Sequence, residues 1–503
     1  MTFQHLLDGA EVLVQSGNPD VDSVEYDSRQ VKPGSLFVAM HGETSDGNRF
    51  IDRAIQAGAV AVVTDLPAEP QREGVAWAVV PHGRRALARL SANFYKRPAE
   101  RLAVAGITGT NGKSTTAFLI EAILTAAGRK SALIGTIEYH VAGRVCPAPH
   151  TTPEALELAR IFNDALGHGA TDVVMEVSSH ALVQQRIFGI PFDVAVFTNL
   201  TRDHLDYHKT MEEYFAAKQA LFEGCGTDAP RVAVTNLDDE HGAKLAGFSR
   251  KHGSSVLTYG WDRGDFHAAN VVISPRGSRF DVITPQEKIP VFSPLIGRVN
   301  VYNILAAAAA CHARGCSPKA IAGGVDSLTH VPGRFQRVDC GQPFTIVVDY
   351  AHTDDALRNL TALAREFVTR AGPRGRVLTL FGCGGDRDRA KRPLMGEAVG
   401  RGSDFVVLTS DNPRTEDPLA IINDALVGLQ KTGVVYRVEV DRRKAIALAI
   451  GQARPGDILL LAGKGHEKVQ VTREGSLPFD DVEVAREALH TAGFECSPTG
   501  GQP

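Results

Sequence analysis

The stretch Ala103-Val104-Ala105-Gly106-Ile107-Thr108-Gly109-Thr110-Asn111-Gly112-Lys113-Ser114-Thr115-Thr116 constrains this chain more than any other. A short apolar run stops at a Gly-rich turn, and Lys, Ser and two Thr then open a helical pattern. Glycines let the backbone bend tightly and expose successive N–H groups. Together with a helix N-terminus these make a cradle for a phosphate anion. Lys113 is placed to reach the outer phosphates and the Ser114 hydroxyl to sit on a magnesium ion. The general pattern has Gly at position 107, where this chain has Ile107; Gly106 and Gly109 flank it, so the loop is a variant. An ordinary strand–turn–helix corner rarely also places Gly-Lys-Ser at the helix start, so phosphate binding is the expected role.

A length of 503 residues suggests about three domains. Charged residues make up 22% of the chain and the net charge is −4, which favours neither a nucleic-acid nor a membrane partner. No apolar run reaches the roughly eighteen residues of a membrane span, and the first residues lack the basic flank and long apolar stretch of a signal peptide. The seven cysteines are scattered and form no Cys-x-x-Cys pair, so reduced cytoplasmic thiols are expected, not a disulfide frame or a zinc site.

Residues 1–98 read as a small α/β unit, with buried strands at Ser35 to Met40 and Ala59 to Val63 and a helix from Phe50 to Ala57. The polar segments around Tyr26 and Ser28, and around Glu43, Thr44 and Ser45, read equally well as surface turns or as a binding edge. Residues 99–331 form the second unit. Its apolar runs from Asp172 and from Asp193 end at Glu176 and His180, and at Asn199 and His204. In open parallel sheets ligands sit beyond the carboxyl ends of strands, and a carboxylate and imidazoles beside a nucleotide loop suit magnesium and phosphate chemistry. Lys218 lies on an apolar helical stripe with Tyr214, Phe215, Leu221 and Phe222. It either snorkels to water or points into the site as a reactive amine. Strand-like runs follow near 231 and 256, then a polar, irregular stretch to about 292. An alanine-rich helix is expected from Ile304 to Arg314, with Asn300 and Asn303 as caps or, for Asn303, a base contact.

Residues 332–503 form the third unit. Four strands each run into a loop rich in Arg, Asp and Glu: Asp349 to His352, Gly382 to Asp388, Ser410 to Arg414, and Ala462 to Glu467. That alternation predicts a doubly wound sheet. The loops suit a multiply charged small molecule, because Arg forks bind carboxylates and acids bind ammonium.

Thr108 to Thr115, Glu176 to His180, Asn199 to His208 and Asp349 to His352 resemble the motifs of the Mur ligases, in the expected order and over essentially the whole chain. The resemblance implies three domains: a small UDP-binding α/β domain (1–98), a central P-loop ATPase-like domain with a parallel sheet (99–331), and a Rossmann-like α/β domain (332–503). It implies an ATP-dependent ligase of peptidoglycan precursor synthesis, of the branch that adds meso-diaminopimelate to UDP-N-acetylmuramoyl-L-alanyl-D-glutamate. ATP phosphorylates the substrate's free carboxylate, and an amine of diaminopimelate attacks the acyl phosphate. It implies ATP contacts from Gly109, Thr110, Asn111, Gly112, Lys113, Ser114 and Thr115, and from Asn303, Arg334, Asp349 and His352. Two magnesium ions are implied on Ser114, Glu176, His204 and a carbamylated Lys218. The catalytic set is Lys113, Glu176, His204 and Lys218. Tyr26, Ser28, Glu43, Thr44, Ser45, Thr151, Thr152, Ser178, Gln184 and Arg186 match the sugar-nucleotide positions. Arg387, Asp411, Asn412, Pro413, Arg414, Gly463 and Glu467 match those for diaminopimelate, whose extra carboxylate gives Arg414 a bidentate partner.

The chain departs from the family pattern at His150, where Asn often precedes the two Thr, at Ser114 for the commoner Thr, and at Asp354 for a common Pro. A monomer without membrane or nucleic-acid partners is expected, with closure about a hinge near Pro332 and Gly333. A folate polyglutamylating ligase would not need residues 1–98 or the Asp411-to-Arg414 loop. A P-loop switch would leave the third unit's loops idle, and a nucleotide-sugar binding protein would not need the P-loop.

Overall fold

Continuous apolar runs such as Leu36 to Ala39 and Val104 to Ile107 mark strands buried on both faces, which is how parallel sheets are covered. The computed structural model describes residues 1–43, 45–67, 72–274, 276–371 and 375–496, and in it such strands build three large sheets. The first has five strands, ordered Val14–Ser16, Ala76–Val79, Ala61–Thr64, Ser35–Ala39 and Ser23–Glu25, parallel except for Val14–Ser16. Thr44 lies outside the described residues.

The second sheet has eleven strands. At its centre the phosphate-loop strand Ala103–Thr108 lies between Val194–Phe197 and Asp172–Glu176, all parallel, so the three strand ends converge on one edge. The phosphate-loop helix Lys113–Ala126 and the alanine-rich helix Arg298–Ala313 bury one face of the sheet, where Ala306 to Ala310 allow close approach. Helices Ala155–Gly167 and Met211–Glu223 cover the other.

Three expectations need correction. The stretch to about residue 292 is not irregular: Phe266–Ser274, Gly277–Ile283 and Lys288–Ser293 extend the sheet as an antiparallel meander. A hairpin, Glu138–Val141 with Arg144–Pro147, extends the opposite edge, so the central sheet is mixed and not purely parallel. Burial alternates irregularly in the meander and is absent in Arg144–Pro147, so the long apolar run that signals a central strand is missing. Finally, the alanine-rich helix starts at Arg298, not Ile304; Gly297 stands at its cap and the Asn300 side chain donates to the Ile296 carbonyl at 2.8 Å.

The third sheet is ordered Gln336–Val338, Thr345–Asp349, Ile458–Ala462, Val377–Phe381, Phe405–Leu408 and Val435–Val438, parallel except for Gln336–Val338. The four strands that end in charged loops are neighbours, so those loops share one edge. Cys340 and Cys496 are joined as a disulfide, against the expectation that all seven thiols are free. They are 156 residues apart in sequence, and only the docking of the last helix, Asp481–Thr491, brings them together.

Candidate active site

The phosphate loop is held from beneath by its neighbours. A Cβ at Gly109 would lie 1.9 Å from the Thr198 hydroxyl, and one at Gly112 would lie 2.5 Å from the Asn303 side-chain oxygen. Both glycines have positive φ, so neither position accepts a side chain. Asn199 accepts from the Asn111 N–H at 3.0 Å and donates to its carbonyl at 3.1 Å. Asn303 is thus behind the loop, supporting Gly112 and accepting from the Thr116 hydroxyl at 3.5 Å.

Lys113 curls back over the loop and donates to the carbonyls of Gly109 and Thr110, both at 2.8 Å. Lys218 resolves its two readings in favour of the site. It is 1% exposed, donates to the Gly109 carbonyl at 2.9 Å, and lies 4.4 Å above the Tyr214 ring. Burial, reinforced by the neighbouring Lys113 charge, pushes its amine well below the ordinary lysine range. Burial also lowers Lys113. Glu176, 1% exposed, accepts from the Thr136 N–H at 2.8 Å and its hydroxyl at 3.0 Å. His204, in the left-handed region at φ 55°, packs edge-on against His180 with ring centroids 5.0 Å apart. Burial and the nearby cations take its imidazole down to about 3, so it is neutral and a nitrogen lone pair is free.

These groups line a cavity of about 150 Å³, with Ser114, Thr151, Ser178 and Arg334. A second cavity of about 180 Å³ is lined by Arg387, Asp411, Asn412, Arg414, Gly463 and Glu467 of the third unit. The two share a wall: Asp203, His204, Tyr350 and His352 border both.

Asp203 was not singled out from the sequence, yet it is the junction. It is 4% exposed, 3.3 Å from Lys391 and 3.7 Å from His352, both of the third unit. Burial opposes its charge, but the His352 hydrogen bond and Lys391 outweigh that and hold its carboxyl well below the usual range. Arg334 donates to the Ser114 hydroxyl at 3.4 Å and Asn111 to Asp355 at 3.3 Å across the same boundary. Asp349 does not face the cavity: its two oxygens accept the Phe335 and Ala351 N–H groups at 2.7 and 2.8 Å and fix the adjoining turns.

In the second cavity Arg414 donates to the Gly385 carbonyl at 2.7 Å, and Glu467 accepts from Asn412 at 2.7 Å. Behind them stand three buried cations. Lys464 reaches Asn412 at 3.0 Å and Glu467 at 3.1 Å. Arg392 pairs with Glu416 at 2.6 Å and Asp424 at 2.9 Å and donates to the Gly384 carbonyl at 3.1 Å, tying the Arg387 loop to the Arg414 loop. Arg442 pairs with Asp481 at 2.6 Å, both fully buried, and donates to the Ala462 carbonyl at 3.0 Å. Lys391, Arg392 and Lys464 lie within or beside the charged loops, but charge alone could not tell a lining residue from a brace.

The remaining expected residues gather where the first unit meets the second. Tyr26 donates to Glu157 at 3.3 Å, and Glu43 accepts from Tyr207 and Gln184. Arg186 pairs with Glu154 at 2.9 Å and donates to the Thr152 carbonyl at 2.8 Å. Thr152 accepts from the Ser178 N–H at 3.1 Å. Ser28 is buried. A cavity of about 490 Å³ beside this boundary is bordered by Tyr26, Tyr139, His150 and Glu157; His150 is exposed and uses its carbonyl to accept from Tyr139. Asp354 opens the helix Asp354–Ala371, where an acid suits the first turn.

Among the described residues no three His, Cys, Asp or Glu side chains stand close enough to hold a metal by themselves. Magnesium needs only one or two protein oxygens beside phosphate oxygens, and the Ser114 hydroxyl and Glu176 carboxylate on one wall are donors of that kind. No helix among the described residues is long and apolar enough to cross a membrane.

Three family models match the chain: "Mur ligase family, catalytic domain" over residues 20–95, "Mur ligase middle domain" over 107–311, and "Mur ligase, glutamate ligase domain" over 333–465. The chain is 55% identical over 476 residues to UDP-N-acetylmuramoyl-L-alanyl-D-glutamate–2,6-diaminopimelate ligase of Solibacter usitatus, covering 94% of each chain. It is 47% identical to the enzyme of that name from Geobacter metallireducens, covering 93% of this chain and 94% of the relative. A solved structure of such a ligase superimposes with a TM-score of 0.68 at 34% identity, covering 98% of this chain and 99% of the other.

Proposed function

The chain belongs to the Mur ligase family, and on that premise we propose that it joins meso-diaminopimelate to UDP-N-acetylmuramoyl-L-alanyl-D-glutamate with conversion of ATP to ADP and phosphate. The observation that carries this reading is the wall of Asp203, His204, Tyr350 and His352 shared by the two cavities. A carboxylate is a poor acyl donor, so the reaction needs two adjoining chambers, one for phosphoryl transfer and one for the amine.

ATP places its phosphates on the N–H groups of residues 109–115, with Lys113 released from the loop carbonyls to follow the transferred phosphoryl group. Ser114, Glu176 and His204 are the residues that would hold magnesium beside the phosphate oxygens. Magnesium, when bound, neutralises charge on the phosphoryl oxygens. Lys218 fits carbamylation: a neutral amine attacks carbon dioxide and loses a proton to solvent, and the resulting carbamate anion gives the first cavity a further oxygen donor. Thr151, Thr152, Ser178 and Arg186 hold the peptide end of the sugar nucleotide, and Tyr26, Ser28 and residues 43–45 its nucleotide end. Arg387 and Arg414 take a carboxylate of diaminopimelate, while Asp411 and Glu467 hold its ammonium. The free amine then faces the acyl phosphate across the shared wall. The cytoplasm expected from the sequence supplies the ATP.

The test is phosphate release with ATP, magnesium and the muramyl-alanyl-glutamate nucleotide, comparing meso-diaminopimelate with L-lysine. Release and a new amide product with diaminopimelate alone are expected. Release with lysine alone overturns the role of Arg414, and absence of amine-dependent release overturns the ligase.

A further inference from the structure

A pair of thiols that lines neither cavity lies at the C-terminal end of the alanine-rich helix. That helix ends in a Schellman motif. The Cys316 N–H donates to the Cys311 carbonyl at 3.0 Å, the Gly315 N–H to the His312 carbonyl at 2.9 Å, and Gly315 has φ 76°. The motif brings the side chains three residues before the cap and two after it into contact, and here both are cysteines. Cys311 is completely buried against the phosphate-loop helix, its Sγ 3.8 Å from the Ile120 carbonyl. Cys316 is 7% exposed and lines an open cavity of about 590 Å³ that Arg129 and Lys319 also border.

The environment of Cys316 differs from that of the other free thiols. The neighbouring Cys311 thiol, with Arg129 and Arg314, lowers the Cys316 thiol from the ordinary cysteine range against the opposing effects of burial and Asp172. Burial instead pushes Cys311 well up, and Cys225 and Cys383 up to about 12, so Cys311 is not the thiol attacked from solvent and can react only with a sulfur already held beside it. A thiol beside cations and open to a cavity reacts, whereas a buried one without them is inert.

We propose that Cys316 and Cys311 are a redox-active dithiol, with Cys316 the thiol that a small disulfide reaches through the cavity and Cys311 the thiol that resolves the adduct. The Cys316 thiolate attacks one sulfur of a low-molecular-weight disulfide. That S–S bond breaks, one thiolate leaves and takes a proton, and a mixed disulfide forms on Cys316. Cys311 attacks the Cys316 sulfur, the mixed disulfide breaks, and the departing second thiolate takes the Cys311 proton. Two protein thiols are oxidised and one small disulfide is reduced to two thiols. The exposed Cys146, which has no cysteine partner, stops at the adduct.

The experiment treats the full-length protein with oxidised glutathione near neutral pH, blocks remaining thiols, and maps every cysteine by mass spectrometry without reduction. The expected result is a peptide that links Cys311 to Cys316 and carries no glutathione, beside a glutathionylated Cys146. In Cys311→Ser the adduct stays on Cys316; in Cys316→Ser, Cys311 stays free. Two results in the wild-type protein overturn the proposal without any variant: both thiols still free when Cys146 is fully modified, or an adduct that persists on Cys316 with Cys311 intact.

Discussion

Lys218 combines two properties that rarely meet: it is buried and its amine faces a polar cavity. If its role is to carry a carbamate, activity follows dissolved carbon dioxide. Lys218→Met is expected to lower kcat by about 100-fold, the scale of losing one preorganised charge, while thermal stability holds or rises because a buried amine is removed. Phosphate release in carbon-dioxide-depleted buffer, with and without added bicarbonate, checks this: wild-type activity recovers and the variant does not respond. His140 is a separate case. Burial opposes its charge, but hydrogen bonds to Glu121 and Glu138, each ring nitrogen taking one, raise it from 6.5 to about 9. A folded-state value above the unfolded one gives stability that is complete below pH 6.5 and lost as pH rises through about 9. His140→Gln should therefore cost about 1 kcal/mol at about pH 6, allowing for partial exposure, and almost nothing at about pH 10. Thermal unfolding at the two pH values reads this directly.

The charged loops of the third unit hold their shape because buried cations fasten the strand ends behind them. Arg392 spans from the Arg387 loop to the segment after Arg414, so Arg392→Gln should raise the KM for diaminopimelate about tenfold, the scale of one lost charged hydrogen bond. The KM for ATP should stay unchanged, and steady-state kinetics varying each substrate separates the two. Removing one partner of the Arg442–Asp481 pair strands a buried charge, so Asp481→Asn should destabilise the third unit by about 3–5 kcal/mol, measured by denaturant unfolding. The sequence made the central strands, the phosphate loop and the charged loops at strand ends legible, because Gly-Lys-Ser at a helix start and Asp-Asn-Pro-Arg after an apolar run are local patterns. It did not separate liners from braces: Asn303, Asp349 and Arg392 are as polar as the residues they support, and only their direction in three dimensions assigns them. The antiparallel meander and the Cys340–Cys496 bond were hidden for a related reason: Pro290 and the bulge between Ala269 and Val272 interrupt the meander's alternation, and a contact across 156 residues leaves no local mark.

At the scale of the molecule, the second and third units meet through polar contacts centred on Asp203 and an apolar seam where Ile296 packs into the third unit's core, with the turn at Val331 to Arg334 between them. Contacts of this kind open and close readily. Lys391→Met should shift the solution ensemble towards open forms, visible as a larger radius of gyration in small-angle scattering, and full substrate occupancy should compact the wild type more than the variant. The wall common to both cavities is assembled from the two units, with Asp203 and His204 on one side and Tyr350 and His352 on the other. Separation of the units therefore unroofs both chambers in the same motion, and an activated acyl group made too early is handed to water. The trickle of ATP consumed without amine then becomes a clock for how often the molecule gapes, and fidelity in this enzyme is a matter of timing as much as of fit.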